Sequence, residues 1–167
     1  MKTIILVRHG KSSWKQDVDD MFRPLKPVGS SNTIKVSDHF KSKTKITLKN
    51  VFTSPAKRAL DTCVIFVNNF VDNFVDKSSV NIEVVKDLYD FNGEKLVLFI
   101  KNLSDNMDTV FLFGHNNAFT NFVNSYGDKF VDNVPTSGLV VLEFNIDRWC
   151  DLAPGHLKLK LFPKALK

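Results

Sequence analysis

The sequence has little of several things, and each shortage excludes a class of function. Only two of its 167 residues are cysteine, Cys63 and Cys150. Neither belongs to a Cys-x-x-Cys pair, so nothing points to a disulfide framework or a redox dithiol. No apolar run approaches the roughly 20 residues that a membrane span requires. The apolar stretch Ile4 to Val7 is far shorter than a signal-peptide core and runs straight into Arg8-His9. A cytoplasmic protein with reduced thiols is therefore expected. The four histidines, at positions 9, 39, 115 and 156, show no metal-ligand spacing, and His39 and His156 read as surface residues. Gly-x-x-x-x-Gly-Lys, Gly-x-Ser-x-Gly and Gly-x-Gly-x-x-Gly are all absent. No run of arginines is interleaved with aromatics, so no nucleic-acid partner is expected.

What remains is an ordinary globular composition. Apolar residues make up 43% and charged residues 25%, which excludes disordered, collagenous and coiled-coil classes. The length suits one domain spanning 1–167. A net charge of +5 mildly favours anionic partners. Lys158, Lys160, Lys164 and Lys167 concentrate some of it in a tail that reads as a lysine-blunted edge strand.

Along the chain, strand and helix patterns alternate. Ile4-Ile5-Leu6-Val7 is a β-branched apolar run typical of a strand covered on both faces. Lys11 to Pro27 reads as loop, and Ser30 or Ser31 as the cap of a helix carrying Ile34, Val36 and Phe40. Residues 50–53 form a second strand pattern. Ser54-Pro55 then gives a helix-start signal, with the helix running to about Asn69. After the polar segment Asp72 to Ser79, a strand over Val80 to Val85, a helix over Glu94 to Lys101 and a strand over Thr109 to Phe113 are expected. Asn116 or Asn117 can cap the next helix, and Leu139 to Phe144 and Leu157 to Leu161 supply two last strands. This order predicts a largely parallel α/β sheet with helices on both faces and an antiparallel edge from the last strands.

Ligands in such sheets bind beyond the carboxyl ends of the strands. The first strand ends in Arg8-His9-Gly10, the second leads into Pro55-Ala56-Lys57-Arg58, the third into Asp87-Leu88-Tyr89-Asp90, and the fourth ends in Gly114-His115-Asn116. Lys57 and Arg58 fall in the first turn of a helix, where the macrodipole disfavours cations by a few tenths to about 1 kcal/mol each. Arg8 and His9 have no acidic neighbour in sequence. A bound anion, such as a phosphoryl group, would satisfy both. Singly, each residue also has a plain structural reading: a histidine at a strand end is commonly just hydrogen-bonded, and Arg58 can pair with Asp61 along its helix.

Four segments, Leu6-Val7-Arg8-His9-Gly10-Lys11-Ser12-Ser13-Trp14, Phe22-Arg23-Pro24-Leu25, Ser54-Pro55-Ala56-Lys57-Arg58-Ala59 and Gly114-His115-Asn116, together resemble the histidine phosphatase superfamily, most of all phosphohistidine phosphatases of the SixA type. The resemblance implies a three-layer α/β/α, phosphoglycerate mutase-like fold and a metal-independent phosphatase that needs no cofactor. His9 would be the nucleophile, and Arg8, Arg58 and His115 would hold the phosphoryl oxygens. Asp90 aligns with the general acid of the mutase-like branch, with Glu94 as a substitute, although SixA-type members often lack this acid. Arg23 and Ser13 would contact substrate, with Lys11 at the mouth and Ser137 a weaker candidate. Lys15, where mutase motifs carry asparagine, and the absence of room for a large helical insertion argue against mutase activity. The implied partner is a phosphorylated protein, such as a histidine-phosphotransfer domain. A small phosphorylated metabolite and a non-catalytic phosphate-binding module are the alternatives.

Overall fold

The computed structural model describes residues 1–71 and 80–167; the polar segment Asp72 to Ser79 lies outside them. Strand β1 (Lys2–Arg8) is followed by α1 (Pro27–Lys43), β2 (Val51–Thr53), α2 (Lys57–Phe70), β3 (Ile82–Val84), α3 (Glu94–Lys101), β4 (Thr109–Gly114), α4 (Ala118–Tyr126), β5 (Leu139–Phe144) and β6 (His156–Leu161). The strands form one six-stranded sheet in the order β3-β2-β4-β1-β5-β6. β3, β2, β4 and β1 pair in parallel, and β5 runs antiparallel to both β1 and β6.

The strand run Ile4 to Val7 is completely buried, as a sheet clad on both faces demands. Its side chains alternate between two cores. Ile4 and Leu6 join Val110, Leu112, Leu96 and Phe119 beneath α3 and α4, whereas Ile5 and Val7 join Phe111, Phe113, Val36 and Phe66 beneath α1 and α2. The period of two along β1 and β4 thus divides the molecule into three layers.

Two expected helix starts move. α1 begins at Pro27 rather than after Ser30, because proline fits the first helical position. α2 begins at Lys57 rather than at Pro55. The Ser54 hydroxyl accepts from the Ala56 amide at 3.2 Å, one turn short of the helix. The third strand shrinks to residues 82–84.

α1 packs its first turn directly against the end of β1. A Cβ on Gly10 would lie 2.9 Å from the Gly29 carbonyl oxygen, and one on Gly29 would lie 2.4 Å from that of Lys11. Only glycine allows that approach on both sides. It brings α1 up against the turn that carries His9.

Candidate active site

Backbone hydrogen bonds lock three strand ends together. The His9 amide donates to the Gly114 carbonyl at 3.0 Å, the Ser54 amide to Phe113 at 3.0 Å, and the Ser137 amide to the His9 carbonyl at 3.0 Å. The parallel sheet thereby delivers Arg8, His9, Ser54 and His115 to one edge, with Arg58 arriving from the first turn of α2. A cleft of about 420 Å³ opens there, lined by Arg8, His9, Ser12, Asp20, Arg23 and Arg58, with Trp14, Phe91 and Lys11 at its rim.

His9 is buried, and its Nδ1 lies 2.8 Å from the Gly10 carbonyl oxygen. A carbonyl only accepts, so Nδ1 carries the proton and Nε2 keeps a lone pair. The Gly10 amide in turn donates to Thr62 Oγ1 at 2.9 Å, and that hydroxyl donates to the Arg58 carbonyl at 2.6 Å. Burial, then the charges of Arg58, Arg8 and Arg23, lower the His9 pKa from 6.5 to about 3 against the opposing pull of the Gly10 carbonyl. His9 is thus a neutral ring with a free nitrogen, as a nucleophile requires.

His115 lies 5.3 Å from His9, ring centroid to centroid, and packs against Tyr89 and Phe91 at 5.3 and 4.9 Å. Its Nδ1 is 3.5 Å from Arg58 Nη2 and its Nε2 is 2.8 Å from Ser54 Oγ. The guanidinium can only donate, so Nδ1 presents a lone pair and Nε2–H donates to the serine. Burial first, then His9, Arg58 and Arg8, lower its pKa to about 3, although Asp20 pulls the other way.

Arg58 is almost wholly buried. Its partner is not Asp61, which pairs instead with Lys57 at 3.0 Å. Arg58 Nη1 donates to the Asp20 carbonyl at 2.7 Å and Nη2 to the Asp20 carboxylate at 3.0 Å. Arg23 is buried beneath Trp14, its guanidinium carbon 3.5 Å from the ring centroid, and donates to Ser12 Oγ at 2.6 Å and to Asp20 Oδ1 at 3.1 Å. Arg8 Nη1 reaches the Val134 carbonyl at 2.8 Å. Among the described residues, the buried side-chain nitrogens and oxygens left without a partner are Arg8 Nε and Arg58 Nε.

Three expected residues are not brought to this cleft. Asp90 is buried, and its carboxylate accepts from the backbone amides of Asn92, Gly93 and Leu96 at 3.4, 3.1 and 3.0 Å. It shapes the turn into α3, with both of its oxygens engaged by these backbone amides. Glu94 is exposed at the first position of α3. Ser13 also fails: its hydroxyl accepts from the Lys15 amide in an exposed turn, and Ser12, one residue earlier, faces Arg23 instead. Ser137 backs the site, its hydroxyl 3.0 Å from Thr33 Oγ1. The residues missed from sequence are Asp20, Ser12, Thr62, Tyr89 and the hydroxyl role of Ser54. Only Asp20 left a signal, its place three residues before Arg23.

The sequence profile described as histidine phosphatase superfamily, branch 1, matches residues 4–88. The chain belongs to that superfamily. The matched span carries Arg8, His9, Asp20 and Arg58 and stops short of Asp90 and His115. Solved members share the superfamily fold with this chain. The protein histidine phosphatase SixA complexed with tungstate superposes with a TM-score of 0.79 at 18% identity, covering 99% of both chains. The SixA structure from Agrobacterium tumefaciens gives 0.76 at 20%, covering 96% of this chain and 97% of that one. A mycobacterial glucosyl-3-phosphoglycerate phosphatase complexed with VO3 gives 0.65 at 10%, covering 95% and 98%. No curated protein sequence matches the chain. Among the described residues of this superfamily member, no helix is long and apolar enough to cross a membrane.

Proposed function

We propose that residues 1–167 act as one histidine phosphatase domain, and that it hydrolyses phosphohistidine on a protein by way of a covalent phosphohistidine at His9. The observation that carries this reading is the His9 ring itself: buried, neutral, anchored through Nδ1–H on the Gly10 carbonyl, and set among three guanidinium groups. Nε2 attacks phosphorus, the leaving group departs, and water then attacks phosphorus and returns the electron pair to His9. Arg8 and Arg58 have donors to spare for the equatorial oxygens, where a loose transition state carries its charge. His115 offers a lone pair toward Arg58 in the empty cleft, so it donates to the phosphoryl group only after taking a proton. The arriving dianion favours that proton uptake by offsetting the arginine charges that oppose it. Every step uses side chains alone, so no metal is called for.

The protein substrate is supported by the mouth of the cleft. Trp14 and Phe91 are exposed there, beside the basic groups of Lys11 and Lys26. That combination of aromatic and cationic groups suits an acidic surface presenting a phosphorylated side chain. The test is phosphate release from a phosphohistidine-bearing protein and from p-nitrophenyl phosphate, by the parent and by His9→Ala, with chelator present. Turnover that vanishes in His9→Ala supports the covalent route, and preference for the protein supports the substrate. Preference for the small ester points to a phosphomonoesterase. Turnover of neither, with phosphate still bound, points to a binding module.

A further inference from the structure

Among the described residues, Asp20 is the one acidic side chain lining the cleft. It sits in the 3-10 turn Asp20–Phe22 and occupies the place the sequence reading left for an anion. Arg58 of α2, Tyr89 from the segment after β3 and Arg23 from its own turn bond to it, His115 beyond the end of β4 feels its charge, and Arg8 and His9 at the end of β1 line the same cleft. Tyr89 donates its hydroxyl to Asp20 Oδ2, the oxygen that also accepts from Arg58. The pair is lopsided: the side chain of Arg58 is 2% exposed and that of Asp20 is 40% exposed. If one partner moves aside for a ligand, it is the carboxylate.

In the empty cleft burial pushes the Asp20 carboxyl up, but the hydrogen bonds from Tyr89, Arg58 and Arg23 outweigh it and hold the pKa near 2. A phosphoryl dianion seated on Arg58 takes one of those donors and adds negative charge beside the carboxylate. Both changes favour protonation. The Asp20 side chain is 40% exposed and shares the cleft with His9, within the space a leaving group would cross.

Resting on the phosphatase reading above, we propose that Asp20 is the acid–base residue of the reaction, filling the arginine fork when no phosphoryl group is bound and yielding to it by taking a proton. As the His9 Nε2 lone pair forms the N–P bond, the bond from phosphorus to the leaving atom breaks, and its electron pair takes the Asp20 proton. Asp20, again a carboxylate, takes a proton from water as that water's oxygen attacks phosphorus. The N–P pair returns to His9, and inorganic phosphate leaves. The role expected of Asp90 thus falls to a carboxylate 70 residues earlier.

The test compares the full chain with Asp20→Asn on two esters. The phenolate of phenyl phosphate needs a proton to leave, whereas that of p-nitrophenyl phosphate does not. The proposal expects the ratio of kcat/KM for p-nitrophenyl phosphate over phenyl phosphate to rise about 100-fold in Asp20→Asn, with partial recovery in Asp20→Glu. It also expects sulfate to bind Asp20→Asn more tightly than the parent by calorimetry, because no internal anion competes for the fork. Equal losses on the two esters, or no loss on either, overturn the acid–base role, and weaker sulfate binding overturns the displacement. A parent that turns over neither ester, nor a phosphohistidine protein, defeats the phosphatase reading and the acid–base role with it; an active parent with equal losses defeats the acid–base role alone.

Discussion

Removing the Asp90 carboxylate separates a structural from a catalytic reading of that residue. Oδ2 of Asp90 accepts from both the Gly93 and Leu96 amides, at 3.1 and 3.0 Å, whereas Oδ1 makes only the long contact to Asn92 at 3.4 Å. Asp90→Asn keeps a carbonyl oxygen for the first two donors and loses the third, so it costs about 1 kcal/mol, the worth of one ordinary hydrogen bond. Asp90→Ala strands two amides in a buried turn. At about 1–3 kcal/mol for each unsatisfied donor, the loss is about 2–6 kcal/mol, a large part of the 5–15 kcal/mol typical of a domain. Urea unfolding reads both variants as shifts in midpoint at unchanged slope. Turnover of p-nitrophenyl phosphate by Asp90→Asn should match the parent in kcat and in the position of its pH limbs. A folded Asp90→Asn with turnover down about 100-fold, the usual size of a lost general acid, would refute this reasoning and return the acid role to Asp90.

Three further outcomes follow from the same geometry. His9 and His115 are held near 3 in the folded chain against 6.5 when unperturbed, so neither produces a fall in kcat/KM, which reports the free enzyme, as pH drops through 6.5. The unfolded chain binds more protons at these two positions below pH 6.5, so their contribution is intact above that pH and declines toward pH 3. At about 1.4 kcal/mol per pH unit for each histidine, stability at pH 5 lies about 4 kcal/mol below that at neutral pH. Urea midpoints that stay level over this range would contradict the histidine environments. Thr62→Val removes the acceptor of the Gly10 amide at nearly constant volume. It should cost about 1–3 kcal/mol and lower kcat more than it changes KM, with Thr62→Ser restoring both; a KM effect alone would mean that Thr62 does not position His9.

Legibility followed the range of the interaction. β1 was readable because four consecutive apolar residues state on their own that both faces are covered, and the arginines and histidines followed because a parallel sheet gathers its strand ends. Polar residues with several uses were misread. Ser54 reads as a helix cap, yet its hydroxyl also meets His115, 61 residues away, and the helix begins at Lys57. Asp90 sits at the spacing of an acid, but its partners are amides two, three and six residues on, which create a turn. Asp20 escaped because its chief partner, Arg58, is 38 residues distant, and sequence pattern carries no information on which carboxylate a fold will lay across an arginine.

The orphaned donors show why the arrangement is suited to an anion and not merely tolerant of one. Arg8 Nε and Arg58 Nε are buried without partners, and both residues line the same cleft. Each unpaired buried donor costs about 1–3 kcal/mol, a debt carried by the sheet core behind it. A ligand with several strong acceptor oxygens recovers that energy at the moment of binding, as a neutral ligand would not. The carboxylate of Asp20 relieves the charge of Arg58 but leaves both Nε–H groups unanswered, because it meets Arg58 only at Nη2 while the Asp20 backbone carbonyl takes Nη1. An incoming phosphoryl group therefore competes with Asp20 from advantage: it can satisfy donors the internal anion does not reach. That difference lets one cleft hold an internal anion on Arg58 when empty and still prefer the phosphoryl group when it arrives.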